Sequence, residues 1–336
     1  MASFHYIILP RIRLFLAPLF LVLLPGFAAC SPFQADPEHD SVTVQLSWVH
    51  QAEFAGFYAA EQQGYFAEEG LDVSFIEGGQ EVDSIIPVVN DAAQFGVAQP
   101  ADLILARASG SPVKSIAVIY RRSPIVFFAL ADSGISRPQD FIGKKIRSAV
   151  TVDQTLRAMM TKVGIGPEQY ETVYLPSEIE QFASGEIPVW SGFVNVFILE
   201  VQRAGYEINI IYPDDYGIHF YGDVLFTTDD LIEGNPDLVL RFTRAALRGW
   251  TYAVENPDAA GSFVQKYNPD ANAELETDRM IASIPIVNTG DDYIGWMEPE
   301  IWQAMEKTLH EQSILTDSVE VEQVYTMQFL EEIYNQ

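Results

Sequence analysis

Cysteine is almost absent: Cys30 is the only one in 336 residues. No disulfide can form within the chain, and a thiolate zinc or iron–sulfur site is out of reach. Histidine is sparse too, and His5, His39, His50, His219 and His310 never fall at the short spacing of paired metal ligands, so no metal site is expected. Cations are the third shortage. Lys plus Arg number 19 against 47 Asp plus Glu, a net charge of −28. A phosphate backbone would be repelled, which excludes nucleic-acid binding through a basic face. No apolar run reaches the ~20 residues a spanning helix needs. What is present is 48% hydrophobic, 12% aromatic and only 20% charged, the composition of a folded chain with a large core.

The amino end reads as an address. Arg11 and Arg13 precede an apolar stretch from Leu14 to Leu24, broken by Pro18, and small residues Ala28 and Ala29 follow. A basic start, a short apolar core and small residues before a cut describe a secretory signal over residues 1–29. Cys30 directly after the two alanines resembles a bacterial lipobox, with Phe27 where Leu is usual. This implies lipidation of Cys30, the alternative being an ordinary cleavage that leaves Cys30 incidental. Residues 30–41 read as a polar tether. The expected location is outside the cytoplasm, in the cell envelope, as a periplasmic or membrane-anchored lipoprotein.

From Val42 onward strand and helix patterns alternate, which implies parallel sheets. Val42, Val44, Leu46 and Trp48 mark a first strand at period two, and Gly64 ends the helix after it. A second βα series runs from Lys145 to Tyr212, and a helical tail follows from Pro236. Apolar segments near 121–131 and 221–228 join the two series. The expectation is an α/β fold of two lobes, each a mainly parallel sheet flanked by helices, with lobe one formed by 42–128 plus 226–336 and lobe two by 129–225.

Several ordered patterns resemble a known family. Leu46, Trp48, Gly56, Tyr58, Ala60, Gly64, Tyr65, Phe66, Gly70, Leu71, Asp72 and Val73 stand at the spacing of substrate-binding proteins of ABC importers. They are most similar to the branch related to yeast pyrimidine synthase, which includes binders of thiamine-pyrimidine precursors. Asp215 through Asp223 and Gly249-Trp250 followed by Tyr252 through Pro257 resemble the same branch. The resemblance implies a periplasmic-binding-protein type II clamp, hinged by the two crossovers. It further implies a monomer that carries a small heterocycle to a permease with its ATPase. The related synthase uses a Lys, a His and a Cys-rich motif. The stretch Gly79–Gly110 holds neither Lys nor His, and one Cys cannot build the motif, so neither catalysis nor a cofactor is expected.

Candidate ligand contacts lie where strands end. Trp48, with Gln51 and Glu53 after it, either stacks and hydrogen-bonds a flat ring or, for Trp48, fills the core. Tyr58 is either a contact or a packing residue. Gln99 and Asp102 follow a strand, Asp102 as contact or helix cap. In lobe two the candidates are Trp190, Phe193 and Asn195, and before the return crossover His219 and Tyr221. Phe197 stands where relatives carry a Glu that bonds the pyrimidine. Glu53 and Asp153 at helix starts disfavour an anionic ligand, because they occupy the positive dipole ends. The aromatic candidates favour a flat heterocycle, a pyrimidine precursor of thiamine first and riboflavin second. A sulfonate- or nitrate-type ligand, or a ligand-presenting sensor role, are the remaining alternatives.

Overall fold

The computed structural model describes residues 39–79, 82–149, 152–290 and 292–335. The expected signal, most of the tether and Cys30 lie outside the described residues. Among the described residues no helix is long and apolar enough to cross a membrane.

The strands are β1 (Asp40–Gln45), β2 (Leu71–Ile76), β3 (Phe95–Ala98), β4 (Val113–Val118), β5 (Ile125–Leu130), β6 (Lys145–Ser148), β7 (Glu171–Tyr174), β8 (Val189–Phe193), β9 (Ile208–Ile211) and β10 (Val224–Thr228). They form two five-stranded sheets, ordered β2-β1-β3-β10-β4 and β7-β6-β8-β5-β9. In the first, β1 is parallel to β2 and β3, and β10 is antiparallel to β3 and β4. In the second, β6 is parallel to β7 and β8, and β5 is antiparallel to β8 and β9. The two mainly parallel lobes are therefore present, each with one reversed strand. The reversed strand is the one that has just crossed from the other lobe. Short crossovers leave the carboxyl end of one sheet and enter the other at its carboxyl end, so the incoming strand must run backwards. A parallel entry would need a helix-length connection.

The expected lobe boundaries fall inside β5 and β10 and are corrected by the pairing. All of β5 belongs to the second sheet and all of β10 to the first. The crossovers are residues 119–124 and 212–223. β5 is apolar throughout and β10 is apolar over Val224–Phe226 where the chain enters it, so no turn signal separates hinge from strand in the sequence.

The longer helices that position the site are α1 (Ala55–Gln62), α2 (Pro100–Ala108), α3 (Asp153–Lys162), α4 (Phe197–Arg203), α5 (Pro236–Glu255), α6 (Ala273–Val287) and α7 (Pro299–Glu311). In α5 the Asn235 side chain caps the amide of Leu238 at 3.2 Å, and Pro236 takes the first turn, where its missing N–H costs nothing. Helices α1 and α5 cross almost backbone to backbone. A Cβ on Gly56 would sit 2.1 Å from the Trp250 ring, and one on Gly249 would sit 2.2 Å from the Gly56 carbonyl oxygen. The Gly56 and Gly249-Trp250 patterns thus secure a packing contact of lobe one. Phe95 stacks on Phe242 at 3.9 Å between centroids, and Phe66 stacks on the other side at 5.3 Å. A separate core in lobe two gathers Val126, Phe128, Phe182, Trp190, Phe197 and Val201.

Candidate functional site

The two crossovers run side by side. Gly222 donates its amide to the Tyr120 carbonyl at 2.7 Å, Ser123 donates to Phe220 at 2.9 Å, and Ile119 and Tyr120 donate to the Asp223 carbonyl at 2.8 and 3.1 Å. A Cβ on Gly222 would meet Tyr120 Cβ at 2.7 Å and Pro124 Cδ at 2.9 Å, so only glycine lets the strands of the hinge lie this close. The segment after α6 braces both crossovers. Arg121 donates to Thr289 at 2.8 Å and pairs with Asp292 at 3.2 Å and Glu298 at 2.8 Å. The Glu298 amide donates to the Tyr221 hydroxyl at 2.7 Å.

Where the lobes meet, polar side chains converge from four elements. Glu53, just after β1, accepts from Ser47 at 3.2 Å and from Gln51 at 2.5 Å. Gln99, at the carboxyl end of β3, donates to Asp223 at 2.5 Å. The carboxyls of Glu53 and Asp223 are neighbours in this seam. Asp223 is 1% exposed. Burial pushes both acids up from the ordinary carboxylate range. For Asp223 the neighbouring Glu53 adds to the rise, while hydrogen bonds to Glu53 and the Arg279 charge oppose its own. Burial and their closeness therefore disfavour two charges on this pair. The phenol of Tyr120 is pushed up by burial and by the charges of both acids.

From lobe two, Asn195 reaches across. Its Nδ2 donates to Ser283 on α6 at 2.8 Å and to Tyr120 at 3.3 Å. The Ser283 hydroxyl gives its own proton to the Arg279 carbonyl at 2.8 Å, so its oxygen is an acceptor and the amide nitrogen must face it. This fixes the flip of Asn195 and leaves Oδ1, fully buried, without a hydrogen-bond partner among the described residues.

An ionic relay surrounds this seam. Glu276 on α6 holds the Ala52 amide at 2.7 Å, Arg279 bonds Glu276 at 2.6 Å, and its other nitrogen bonds Glu200 on α4 of lobe two at 2.6 Å. Arg203 on α4 pairs with Asp278 and, at 3.4 Å, with Glu274.

The structure brings together Gln51, Glu53, Gln99 and Asn195 of the residues singled out in the sequence. Phe193 is half-buried at the end of β8 beside them in the chain. Trp48 is 40% exposed, at the mouth of the loop that carries Glu53, so the core alternative is excluded for it. Five other candidates are engaged elsewhere or point to solvent. Trp190 is fully buried, its indole N–H donates to Ile187 at 2.8 Å, and its ring stacks on Phe197. Tyr58 is fully buried, stacked on Tyr267 at 4.4 Å, with its hydroxyl bonded to His50 at 2.7 Å. Tyr221 is 2% exposed and serves the hinge brace. His219 is exposed and paired with Asp214 at 2.5 Å. Asp102 is exposed in the first turn of α2 and caps nothing by its side chain. Asp153, at the start of α3, is satisfied within its own lobe by Ser148 at 2.9 Å and by Tyr174. The sequence reading missed Tyr120, Asp223, Arg279 and Ser283. An acid directly before a buried strand, as in Gly222-Asp223-Val224, was the one available signal.

Two sheets of identical order, joined by paired crossovers with a polar seam between them, define the two-lobed periplasmic-binding-protein fold. The aliphatic sulphonate binding protein SsuA from Escherichia coli shares it, with a TM-score of 0.69 at 13% identity over 86% of this chain and 92% of that one. Residues 51–260 match the family described as NMT1/THI5 like, and the chain belongs to that family. Among curated relatives, the formylaminopyrimidine-binding protein of Halalkalibacterium halodurans is 28% identical over 94% of this chain and 97% of its own. The riboflavin-binding protein RibY of Chloroflexus aurantiacus is 26% identical over 90% and 89%. A 4-amino-5-hydroxymethyl-2-methylpyrimidine phosphate synthase of Legionella pneumophila is 24% identical over 86% and 92%.

Proposed function

We propose that this protein is the extracytoplasmic solute-binding component of an ABC importer and that it captures a small aromatic heterocycle, a pyrimidine precursor of thiamine, between its lobes. The observation that carries the reading is the seam itself. Acceptor and donor side chains from lobe one (Glu53, Gln99, Asp223) meet Asn195 of lobe two across a two-strand hinge. A group so placed gains its contacts only when the lobes close, so ligand affinity and closure are the same event. Trp48 at the mouth, with Phe193 and Gln51, offers ring and edge contacts to a flat ligand. The arrangement calls for capture and release without chemical change. The closed, loaded protein docks on its permease, and Cys30 supplies the lipid anchor that keeps it near.

The test is a thermal-shift panel on the purified protein, with hydroxymethyl- and formylamino-pyrimidines, thiamine, riboflavin, an alkanesulfonate and nitrate. At 100 times its dissociation constant a ligand adds about 2.7 kcal/mol, a rise of several degrees. A rise with a pyrimidine is expected. A rise with sulfonate or nitrate alone would overturn the ligand class, and a rise with riboflavin alone would move the chain to a flavin carrier.

A further inference from the structure

Three polar contacts join the lobes in order along α4 and α6. Asn195, just before α4, donates to Ser283 at 2.8 Å and to Tyr120 of the crossover at 3.3 Å. Further along, Glu200 accepts from Arg279 at 2.6 Å. At the end of α4, Arg203 donates through Nε to Asp278 at 2.9 Å and through a terminal nitrogen to Glu274 at 3.4 Å. Residue numbers rise along α4 as they fall along α6, so the contacts form a ladder. Its first rung touches the hinge and is buried, its second is half-buried, and its last is open to solvent at Arg203 and Glu274. The apolar side chains of α4, Phe197, Ile198 and Val201, turn into the core of their own lobe. The ladder therefore parts without baring that core to water, and its strength is that of charges and hydrogen bonds.

We propose that Arg203, with Asp278 and Glu274, is an ionic latch that sets how long the lobes stay closed, so that even an uncharged ligand is retained in a salt-dependent way. The inference rests on the importer reading and adds to it what governs release. Charge makes the open rung decisive. Glu200 of lobe two stands opposite Glu274 and Asp278 of lobe one, and Arg279 and Arg203 are the cations between them. In a chain of net charge −28, taking a cation from this line leaves like charges facing across the seam. Arg279 is already tied to Glu276 within its own helix, whereas both acids that Arg203 binds lie on the opposite lobe. Arg203 also stands roughly 10 Å along α4 from the buried rung, so a rotation about the hinge moves it furthest and parts it first. The contact between α3 of lobe two and the end of α7 is neutral, Gln312 Nε2 to the Gln154 carbonyl at 2.9 Å, and salt leaves it intact.

Small-angle scattering of the purified protein without ligand reads the latch directly. At about 0.05 M sodium chloride Arg203→Gln should have a larger radius of gyration than the wild type, and at about 0.5 M, where charges are screened, the two should coincide. Arg203→Asp should open the lobes further, and adding Asp278→Arg to it should restore the compact form. Melting curves of each variant separate opening from unfolding. The second arm is the dissociation rate of 4-amino-5-hydroxymethyl-2-methylpyrimidine, uncharged in mildly alkaline buffer, followed by tryptophan fluorescence. At low salt Arg203→Gln should release it ~3–5-fold faster than the wild type, the scale of an exposed ion pair, and high salt should remove the difference. Equal radii of wild type and Arg203→Gln at low salt overturn the latch while the importer reading stands, as does a charge-swapped variant that stays open. Failure of the wild type to bind any ligand of the wider panel overturns the importer reading, and the scattering still decides the latch.

Discussion

The indole of Trp190 sits at the centre of the lobe-two core, against Phe182 and Phe197 with an Arg147 guanidinium over its face. Trp190→Ala should cost about 3–5 kcal/mol of stability, the range of a large aromatic deleted from a packed interior. Trp48 is 40% exposed and stacks on no ring among the described residues. Trp48→Ala should leave the melting temperature nearly unchanged and weaken pyrimidine binding tenfold or more, about 1.4 kcal/mol. Thermal melts and calorimetry on the two variants check the pair of outcomes, and equal effects on stability would refute the placement of Trp48. In the sequence the two tryptophans look alike, each near the end of a strand. What separates them is whether the strand end faces the seam or the helix layer of its own lobe, and that depends on strand order. Gln99 and Asn195 were legible because a polar residue shortly after a buried strand has little choice but the carboxyl-end cleft, and Glu53 because it lies in the turn that leads from β1 into α1. Asp223 and Tyr120 were not, because they sit in crossovers whose mutual pairing spans about a hundred residues of chain and leaves no local pattern.

Helix α6 acts as a strut between ligand loop and opposite lobe. Glu276 fixes the Ala52 amide, and Arg279 ties Glu276 to Glu200. Arg279 is only 13% exposed and Glu276 5% at the side chain. Arg279→Met would leave the buried Glu276 carboxylate without its cation, a loss of about 3–5 kcal/mol when a buried partner is removed. The melting temperature should fall by several degrees, and a cycle with Glu200→Gln should be non-additive by about 0.5–3 kcal/mol. Additive effects would show that the strut does not couple the lobes. Elements were the most readable level of the sequence. The alternation of period two and helical runs reproduces the βα series of both lobes, and the prolines at the starts of α5 and α7 mark them correctly. The exceptions have a common cause. The boundaries inside β5 and β10 failed because burial on both faces removes the alternation that marks a strand edge.

For the whole molecule, charge of one sign is the governing quantity. The net −28 opposes the compact state through self-repulsion. Many of the few cations are bound in pairs at the surface, such as Arg248 with Glu68 and Lys266 with Glu61, and exposed pairs of this kind contribute only about 0–1 kcal/mol each. Screening should therefore relieve more repulsion than it removes attraction. The melting temperature is expected to rise between roughly 0.05 and 0.5 M sodium chloride, where the Debye length falls well below 10 Å. A fall over that range would show that ion pairs dominate. The two-lobe architecture was legible from the repeat of the βα series, whereas the contact between the lobes was not, since no periodicity encodes which side chains meet across a hinge.

The position of β10 also sets an order of assembly. Among the described strands β4 pairs with β10 alone, and β3 keeps an open edge until β10 arrives. A chain emerging from its amino end thus completes the second sheet by residue 211 while the first stays in two pieces. Closing that gap brings together segments about a hundred residues apart, a slow step by the rule that distant contacts form late. The unpaired edges of Phe95–Ala98 and Val113–Val118 are templates for unwanted pairing during that interval. Chains that stop before residue 224 should carry one finished lobe and one adhesive half.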